Sequence, residues 1–356
     1  MKKVSVLIPV YNNEIYLARF LKSIEVQTYE NIEFIAVNDG STDNSLSILK
    51  AYEKSHQNFK VISQENKGVN ESKRVALHYS DGDYIVVIDS DDYISPNYIN
   101  DLVSQLERTE SNIVNPRYAV KFGIPIVNRF RFYAKKREDR AYDLSLEKNI
   151  LTTVNVTHCK LYKREFYNLT DKSFKINEDL VTTYYNCALA NRISFSNDAI
   201  YYYTPNENGL VSTHLSGFGT NKVKNFVYPL EELVSVFKKN KDLYDKYKEE
   251  IDGIIIKNYM EHINNVILRM TPSKEKQQMI HILLSLLTTQ SPDWTHNKYY
   301  LENFKDIELT DYFRALFFKV YSIFNENSIE KVDDIDNLIN KYDEQILRYK
   351  NRQSML

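Results

Sequence analysis

The sequence predicts an α/β domain with a mostly parallel central sheet and helices on both faces, followed by an all-helical C-terminal domain. In the first half, short apolar runs alternate with segments whose apolar residues have helical spacing. Strands that alternate with amphipathic helices imply right-handed crossovers and a parallel sheet covered on both sides. After about Ser216, strand patterns become scarce. The length of 356 residues fits about two domains, which we place at residues 1–215 and 216–356.

The elements of the first domain follow from its apolar residues. Apolar runs predict strands at Val4–Val10, Ile32–Val37, Phe59–Ile62 and Tyr84–Ile88. Each strand is followed by apolar residues on one helix face: Leu17, Phe20, Leu21 and Ile24, then Leu46, Leu49 and Tyr52, then Val69, Val75, Ala76 and Tyr79, then Ile99, Leu102, Val103 and Leu106. Asp43 can cap the second of these helices, because Asp is favoured at helix N-termini.

The second domain carries helical patterns almost throughout. Its apolar helix positions are Val227, Leu230, Leu233, Val234 and Phe237, then Ile254, Ile255, Tyr259, Ile263, Val266 and Ile267, then His281 to Leu287, Tyr312 to Phe324, and Ile335, Leu338, Ile339 and Tyr342. Pro272 and Pro292 are expected to break helices, because proline lacks the backbone N–H.

Composition excludes some classes of protein. The formal net charge of −2 provides no global field to attract nucleic acid. Cys159 and Cys187 have no disulfide-like spacing, which favours reduced thiols. The apolar run Val4–Val10 is too short for a secretory signal, and no stretch approaches the ~20 apolar residues of a membrane span. We therefore expect a cytoplasmic protein.

The fourth predicted strand ends in a cluster of acids. Residues 84–93 read YIVVIDSDDY, so that Asp89, Asp91 and Asp92 follow an apolar run. Clustered carboxylates raise the cost of ionising one another. A divalent cation reverses that effect, and Mg²⁺ and Mn²⁺ prefer carboxylate oxygens. The cluster therefore predicts a metal ion, with a phosphate-bearing ligand beside it.

Polar residues also follow the first and second strands. The loops are residues 9–12, 38–41 and 89–92. In parallel sheets, ligands bind outside the carboxyl ends of the strands. Ordinary turn chemistry explains any one of these loops, but the three together predict one ligand site.

The motifs resemble those of family 2 glycosyltransferases with the GT-A fold, over about Lys2 to Thr213. They occur in the order of the family: VLIPVYN at 6–12, VNDGSTD at 37–43, NKGV at 66–69, GDYI at 82–85, DSDD at 89–92, KLYKRE at 160–165, NED at 177–179 and YYY at 201–203. An acidic triplet alone is a weak signal, whereas this ordered series is specific.

The resemblance implies a donor site for a UDP-sugar. It assigns donor binding to Pro9, Val10, Tyr11, Asn12, Asp39, Lys73, Arg74, Asp89 and Ser90. Tyr11 would lie against the uracil ring, and Asp39 would accept a hydrogen bond from the uracil N–H. An Asx-turn is the alternative for Asp39. Asp89 would lie near the ribose and the sugar.

The resemblance also implies a metal site. Asp91 would hold Mn²⁺ or Mg²⁺ on the diphosphate, where the ion acts as a Lewis acid on the departing UDP. His214 is a second candidate ligand, although a lone His is more often a surface residue. Asp92 would support the site or bind the donor sugar, and a cap on the helix beginning near Pro96 is the alternative.

Asp179 matches the catalytic base of the family. An inverting transferase needs one carboxylate that deprotonates the acceptor hydroxyl as it attacks. Glu178 and Asp179 also open a predicted helix, where acids stabilise the helix dipole without a catalytic duty. We assign that simpler role to Glu178 and the base to Asp179.

The chain departs from the family pattern at two positions. Ser72-Lys73-Arg74 stands where the family often has Ala-Arg-Asn, and Lys and Arg are not equivalent in planar contacts. Thr204 stands where an Arg often follows the late tyrosines. The departure at Lys73-Arg74 leaves a catalytically silent glycosyltransferase-like subunit as an alternative function.

Residues 122–142 have no match in the family. Six basic and two acidic residues give this segment a local charge of +4, with interleaved aromatic residues. The segment could form an acceptor or lipid-headgroup patch, or a solvated hairpin.

Together these features predict a metal-dependent, inverting hexosyltransferase. It would move a hexose-type sugar, such as galactose, glucose or an N-acetylhexosamine, from UDP to a glycan in bacterial surface polysaccharide or glycoprotein synthesis. The acceptor would be a glycan, a lipid-linked glycan or a glycosylated protein. The helical domain could serve acceptor binding, homo-oligomer formation, or docking on a membrane or a partner enzyme.

Overall fold

The structure is a computed structural model and describes residues 1–122, 129–132, 136–154, 159–167, 178–204, 220–262 and 286–299. The chain divides into two compact units. The first comprises Met1–Gly217 and Asn225–Tyr247, and the second comprises Phe218–Lys224 and Lys248–Leu356.

Within the described residues, the first unit is built on a ten-stranded sheet in the order β3-β2-β1-β4-β9-β6-β10-β5. Two short strands lie off this path, with β7 paired to β6 and β8 paired to β10. The strands are β1 Val4–Val10, β2 Ile32–Asp39, β3 Phe59–Gln64, β4 Tyr84–Val87, β5 Tyr93–Ile94, β6 Ile113–Phe122, β7 Arg129–Phe132, β8 Tyr142–Asp143, β9 Leu161–Lys163 and β10 Arg192–Tyr203.

The first four strands of the sheet order are parallel. β1 pairs with β2 and with β4, and β2 pairs with β3, all in parallel register. β9 is inserted antiparallel between β4 and β6, and β6 then pairs parallel with β10. The sheet is therefore mixed, and the predicted parallel order holds for its N-terminal half.

The helices occupy the predicted positions, five of them between strands and two after β10. They are α1 Glu14–Glu25, α2 Ser45–Ser55, α3 Val69–His78, α4 Tyr98–Thr109, α5 Glu178–Ala190, α6 Thr220–Lys239 and α7 Lys241–His262. Short 3₁₀ helices lie at Lys148–Thr153, Arg164–Phe166 and Trp294–His296. The predicted cap is partly present, because Asp43 accepts the backbone N–H of Ser45 while Asn44 is the N-cap residue.

The core lies on both faces of the sheet. All seven residues of β1 are buried, as expected for a central strand covered by helices on both sides. Val4, Val6, Ile8 and Val10 belong to one apolar cluster with residues of α1 and α4. Because side chains alternate along a strand, the other face of β1 is left for α3, which packs against β1 and β2.

In the second unit the described residues are mostly helical. Ile254, Ile255 and Tyr259 of α7 are buried, as their spacing predicts. Glu250 is buried and accepts the hydroxyl of Tyr299 at 2.7 Å. Pro292 lies in a turn just after the helical residues 286–290, as predicted. Pro272, residues 312–324 and residues 335–342 lie outside the described residues, so the all-helical character of this domain stays a prediction.

The prediction of reduced cysteines can be compared with the structure. Cys159 and Cys187 are both buried free thiols, in agreement with the spacing argument. Among the described residues, no helix is long and apolar enough to span a bilayer.

Residues 225–247 belong to the first unit, although the sequence placed them in the second domain. The boundary at residue 215 stays a prediction.

Candidate active site

The loops after β1 and β2 are hydrogen-bonded to each other. The backbone N–H of Asn12 donates to Ser41 Oγ at 3.0 Å, and the backbone N–H of Thr42 donates to Asn12 Oδ1 at 2.8 Å. Asn12 has a φ of 48°, a left-handed conformation that Asn tolerates better than most residues. Glu14 N–H donates to Asp43 at 3.0 Å, which ties the start of α1 to the second loop.

The acidic loop after β4 is joined to the same edge. The hydroxyl of Ser90 donates to the backbone oxygen of Pro9 at 3.0 Å, and Asn13 Nδ2 donates to Ser90 Oγ at 2.6 Å. Ser90 is buried, so its side chain serves this connection. The structure therefore brings the three polar loops together at the carboxyl ends of β1, β2 and β4.

The first loop offers one aromatic surface. Tyr11 is 48% exposed, whereas Val10 is 1% exposed and Pro9 is also buried. Of these predicted donor-binding residues, only Tyr11 presents a side chain that a ligand can cover.

Asp39 connects the second loop to α3. Its Oδ1 accepts Gln64 Nε2 at 2.7 Å and the backbone N–H of Lys67 at 2.8 Å, and its Oδ2 accepts the backbone N–H of Gly68 at 2.8 Å. An Asx-turn would bond two residues ahead, so that alternative is wrong. A carboxylate accepts about four hydrogen bonds, which leaves Asp39 capacity for one bond from a ligand.

Gly68 is the N-cap of α3 and has a φ of 89°. Only glycine adopts this conformation without strain. The glycine therefore lets the chain turn so that Lys67 and Gly68 direct their N–H groups at Asp39.

The three acids of the β4 loop have different surroundings. Asp89 and Asp91 are half-buried, whereas Asp92 is 1% exposed. Burial, followed by the charges of Asp91 and Asp89, raises the pKa of Asp92 well above its usual value. Its Oδ2 accepts the hydroxyl of Tyr201 at 2.7 Å and its Oδ1 accepts the backbone N–H of Thr204 at 2.7 Å.

Asp92 thus ties the acidic loop to the end of β10. The alternative role as a helix cap is wrong, because α4 begins at Tyr98 with Asn97 at its N-cap. Tyr201 also accepts the backbone N–H of Asp89 at 3.3 Å, so one buried hydroxyl supports two residues of the loop.

We expect Tyr201→Phe to destabilise the protein by about 1–3 kcal/mol, because the change leaves a buried carboxylate with one hydrogen bond fewer. Urea unfolding measures the loss. Tyr79→Phe is the matched control, since Tyr79 is 48% exposed and should change the free energy of unfolding little. Equal stability of Tyr201→Phe and the wild type would contradict the supporting role of this hydroxyl.

Lys73 and Asp179 form an ion pair between α3 and α5. Lys73 Nζ lies 2.5 Å from Asp179 Oδ1, and the two side chains are 4% and 34% exposed. Lys73 was predicted to bind the donor, and the structure places its ammonium against the predicted base. Arg74 faces Glu71 on the same helix, at 3.4 Å.

A second buried lysine lies near this pair. Lys160 is 1% exposed, and burial lowers its pKa while the charge of Asp179 acts in the opposite direction. The ammonium of Lys73, in contact with Asp179, favours the charged form of that carboxylate.

Arg19 is a site residue that sequence reasoning missed. Its Nη2 donates to the backbone oxygen of Asp91 at 2.8 Å and to Thr204 Oγ1 at 2.6 Å, and its guanidinium lies 4.6 Å from the centre of the Tyr93 ring. Thr204 is the position where the family resemblance leads one to expect an arginine, and an arginine from α1 reaches it. Helical spacing marks Arg19 only as a polar position on α1, so no sequence signal distinguishes it.

The described residues do not provide a complete set of protein ligands for the predicted metal ion. His214 lies outside the described residues. Within the ranges that the structure describes, no group of three or more His, Cys, Asp or Glu residues could hold a metal ion by itself. Asp89 and Asp91 remain as carboxylates that could bind a divalent cation at this edge of the sheet.

The unmatched basic segment forms a hairpin in part. β6 and β7 pair antiparallel, with Ala119 opposite Phe132; residues 123–128 and 133–135 lie outside the described residues. Arg140 pairs with Glu147 and Glu138, each at 2.6 Å, and Arg137 lies over Phe195, 5.1 Å from the ring centre. Part of the positive charge is therefore neutralised or covered within the protein.

The chain is similar to known glycosyltransferases. Residues 5–169 match the model of glycosyl transferase family 2. Glycosyltransferase GlyG of Streptococcus pneumoniae serotype 4 is 31% identical over 223 residues, which cover 59% of this chain and 73% of GlyG. Glycosyltransferase GlyA of the same organism is 31% identical over 210 residues, which cover 56% of this chain and 30% of GlyA. The chain thus matches under a third of GlyA.

A solved structure gives the fold. Poly(ribitol-phosphate) β-N-acetylglucosaminyltransferase TarS of Staphylococcus aureus is 29% identical over 266 residues, which cover 70% of this chain and 43% of TarS. The crystal structure of S. aureus TarS 1–349 in complex with UDP matches with a TM-score of 0.56 at 19% identity, covering 92% of each chain. The mixed α/β sheet is the GT-A fold that the sequence predicted, and the chain belongs to glycosyltransferase family 2.

Proposed function

We propose that this family 2 transferase is a metal-dependent, inverting enzyme that moves a hexose-type sugar from UDP to a glycan acceptor. The observation that carries the proposal is a connected set of residues at one edge of the sheet. Asp39 binds the N-terminus of α3 through Gly68, and Lys73 of the same helix binds Asp179. Five residues of helix span about 7.5 Å, so α3 links the donor loops to the base over a short distance.

The assignment of UDP as carrier is supported by chemistry at the first two loops and by the TarS complex. Tyr11 has an exposed ring of the kind that stacks on a flat base. Asp39 has acceptor capacity for one more hydrogen bond, which suits a uracil N–H. The TarS structure with this fold contains UDP.

The residues present fit a divalent cation bound together with a diphosphate. Asp89 and Asp91 offer hard oxygen ligands, and their charges already raise the pKa of Asp92, a cost that a cation relieves. The described side chains do not complete the ligand set of a metal ion. Diphosphate oxygens would therefore have to supply further ligands, and His214 is a candidate for another. The ion would act as a Lewis acid on the departing UDP.

Protein side chains would hold the acidic loop in place and take up the acceptor proton. Ser90 and Arg19 hold the acidic loop against β1, α1 and β10 through the bonds described above. Asp179 would take the proton of the acceptor hydroxyl, which is the task of a general base. Arg74, Val10, Pro9 and Asn12 keep their proposed place at the donor, whereas Lys73 pairs with Asp179.

The acceptor and the setting are further parts of the proposal. TarS is named for transfer to poly(ribitol-phosphate), which supports an acceptor among bacterial surface polymers, lipid-linked glycans or glycoproteins. We assign residues 1–215 to catalysis and residues 216–356 to acceptor binding, self-association or docking at a membrane or partner enzyme. A cytoplasmic location, at the inner face of the membrane for a docked form, fits cytoplasmic UDP-sugars.

The test is UDP release from a panel of UDP-sugars with Mn²⁺ and candidate acceptors. We expect one donor to exceed the others, and chelation of the metal to stop release. UDP with Mn²⁺ should also raise the melting temperature more than either one alone, because ligands stabilise the state they bind. Protection without transfer from any donor would favour the catalytically silent subunit. Neither protection nor release would contradict nucleotide use altogether.

A further inference from the structure

We propose that Lys73 is a positioning residue that fixes the carboxylate of Asp179 for proton transfer. The inference rests on the proposed function and deepens it, because it assigns Lys73 to the base where the family pattern implies a nucleotide contact.

The burial of the two partners is unequal. The Lys73 side chain is 4% exposed and that of Asp179 is 34% exposed. A buried lysine has already lost its rotamer freedom on folding, and a buried charge needs a partner. Lys73 is therefore the fixed member of the pair, and the more exposed Asp179 is the member whose orientation is determined.

Lys73 is itself held on the donor side of the site. α3 packs against β1 and β2, the strands that lead into the first two loops. The N-terminus of α3 is bound by Asp39. The contact between Lys73 and Asp179 at 2.5 Å thus sets the base relative to the loops that would hold the donor.

The electrostatics favour the form of Asp179 that can accept a proton. The ammonium of Lys73 touches the carboxylate. A neighbouring cation stabilises a carboxylate in its charged form. Because 34% of the Asp179 side chain stays exposed, an acceptor hydroxyl can still approach.

The chemical step balances without a change in Lys73. The acceptor O–H proton moves to the Asp179 carboxylate while the acceptor oxygen forms a bond to the anomeric carbon. The bond from that carbon to the diphosphate oxygen breaks, and UDP leaves with the electron pair. Lys73 keeps its proton throughout, so its loss should change the rate of the step and leave the affinity for the donor.

The test compares Lys73→Met, Lys73→Arg, Asp179→Asn and the double variant Lys73→Met/Asp179→Asn with wild type. We expect kcat of Lys73→Met to fall by roughly 10²-fold, the cost of misplacing a reacting group by about 1 Å. The KM for the UDP-sugar and the Kd for UDP with Mn²⁺ should stay within about threefold of wild type. Lys73→Arg should recover part of kcat, since it keeps the charge in a bulkier group.

The double variant separates positioning from an independent role. Residues that act as a unit give non-additive losses. We therefore expect Lys73→Met to cost almost nothing further in the Asp179→Asn background. Lys22→Met is the control, because Lys22 makes an exposed pair with Glu25 on α1 at 3.1 Å.

Three results would overturn the inference: a raised donor KM or UDP Kd with normal kcat, which marks a donor contact; losses that multiply in the double variant; or full activity of Lys73→Met. Should Lys73→Met fail to fold, Lys73→Arg decides, with lowered kcat at unchanged UDP affinity in support and weakened UDP binding against. Wild-type protein that transfers from no donor would defeat the proposed function itself, a result distinct from any of these.

Discussion

Asp91→Ala is expected to abolish sugar transfer while the protein stays folded. Asp91 is the carboxylate that we assign to the metal on the diphosphate, and a metal contributes several kcal/mol to the stabilisation of developing charge. Since about 1.4 kcal/mol is tenfold in rate, the loss should reach roughly a thousandfold. UDP release with the preferred donor measures it.

Unlike its activity, the stability of Asp91→Ala should not fall. The charge of Asp91 raises the pKa of the buried Asp92, so its removal relieves a like-charge interaction. We expect urea unfolding to show equal or slightly higher stability. Asp83→Ala is the control at the amino end of the same strand, where Asp83 bonds Lys3 N–H at 2.9 Å. Near-normal transfer by Asp91→Ala, or an equal loss in Asp83→Ala, would contradict the metal assignment.

Asp179→Asn is expected to remove transfer and to keep nucleotide binding. A positioned general base contributes about 10²–10⁴-fold, and asparagine cannot take the proton of the acceptor. The measurement is kcat with a real acceptor, together with the Kd of UDP and Mn²⁺ by calorimetry. Retained UDP affinity with lost kcat separates the base from the donor site.

A stability change accompanies this variant. Asn leaves the ammonium of Lys73 facing a neutral group, but the amide oxygen can still accept a hydrogen bond and the site is one-third exposed. We expect a cost of about 1 kcal/mol, below the 3–5 kcal/mol of a fully buried pair. Asp242→Asn is the matched control. Like Asp179, Asp242 lies in the first turn of a helix, α7, where its charge interacts with the helix dipole. Transfer at a near-normal rate by Asp179→Asn would refute the base assignment.

Most of the N-terminal fold could be predicted because its determinants are local. Apolar runs such as Val4–Val10 and Tyr84–Ile88 became β1 and β4, within one residue at their ends. The strands after β4 were not predicted, and the antiparallel β9 shows why. Its three residues are too few for a periodic pattern, and its place between β4 and β6 depends on pairing over long sequence separations.

The sequence by itself determined the family, the first four strands with the helices that follow them, and the residue types that gather at the carboxyl ends of those strands. Motifs reveal these because each is a short run with its own chemistry. Only the tertiary structure decided the partners: Arg19 with Thr204, Asp92 with Tyr201, and Lys73 with Asp179. The last two pairs lie 109 and 106 residues apart in sequence. Which side chains meet over such separations depends on how the elements pack, and the local spacing of residues does not indicate it.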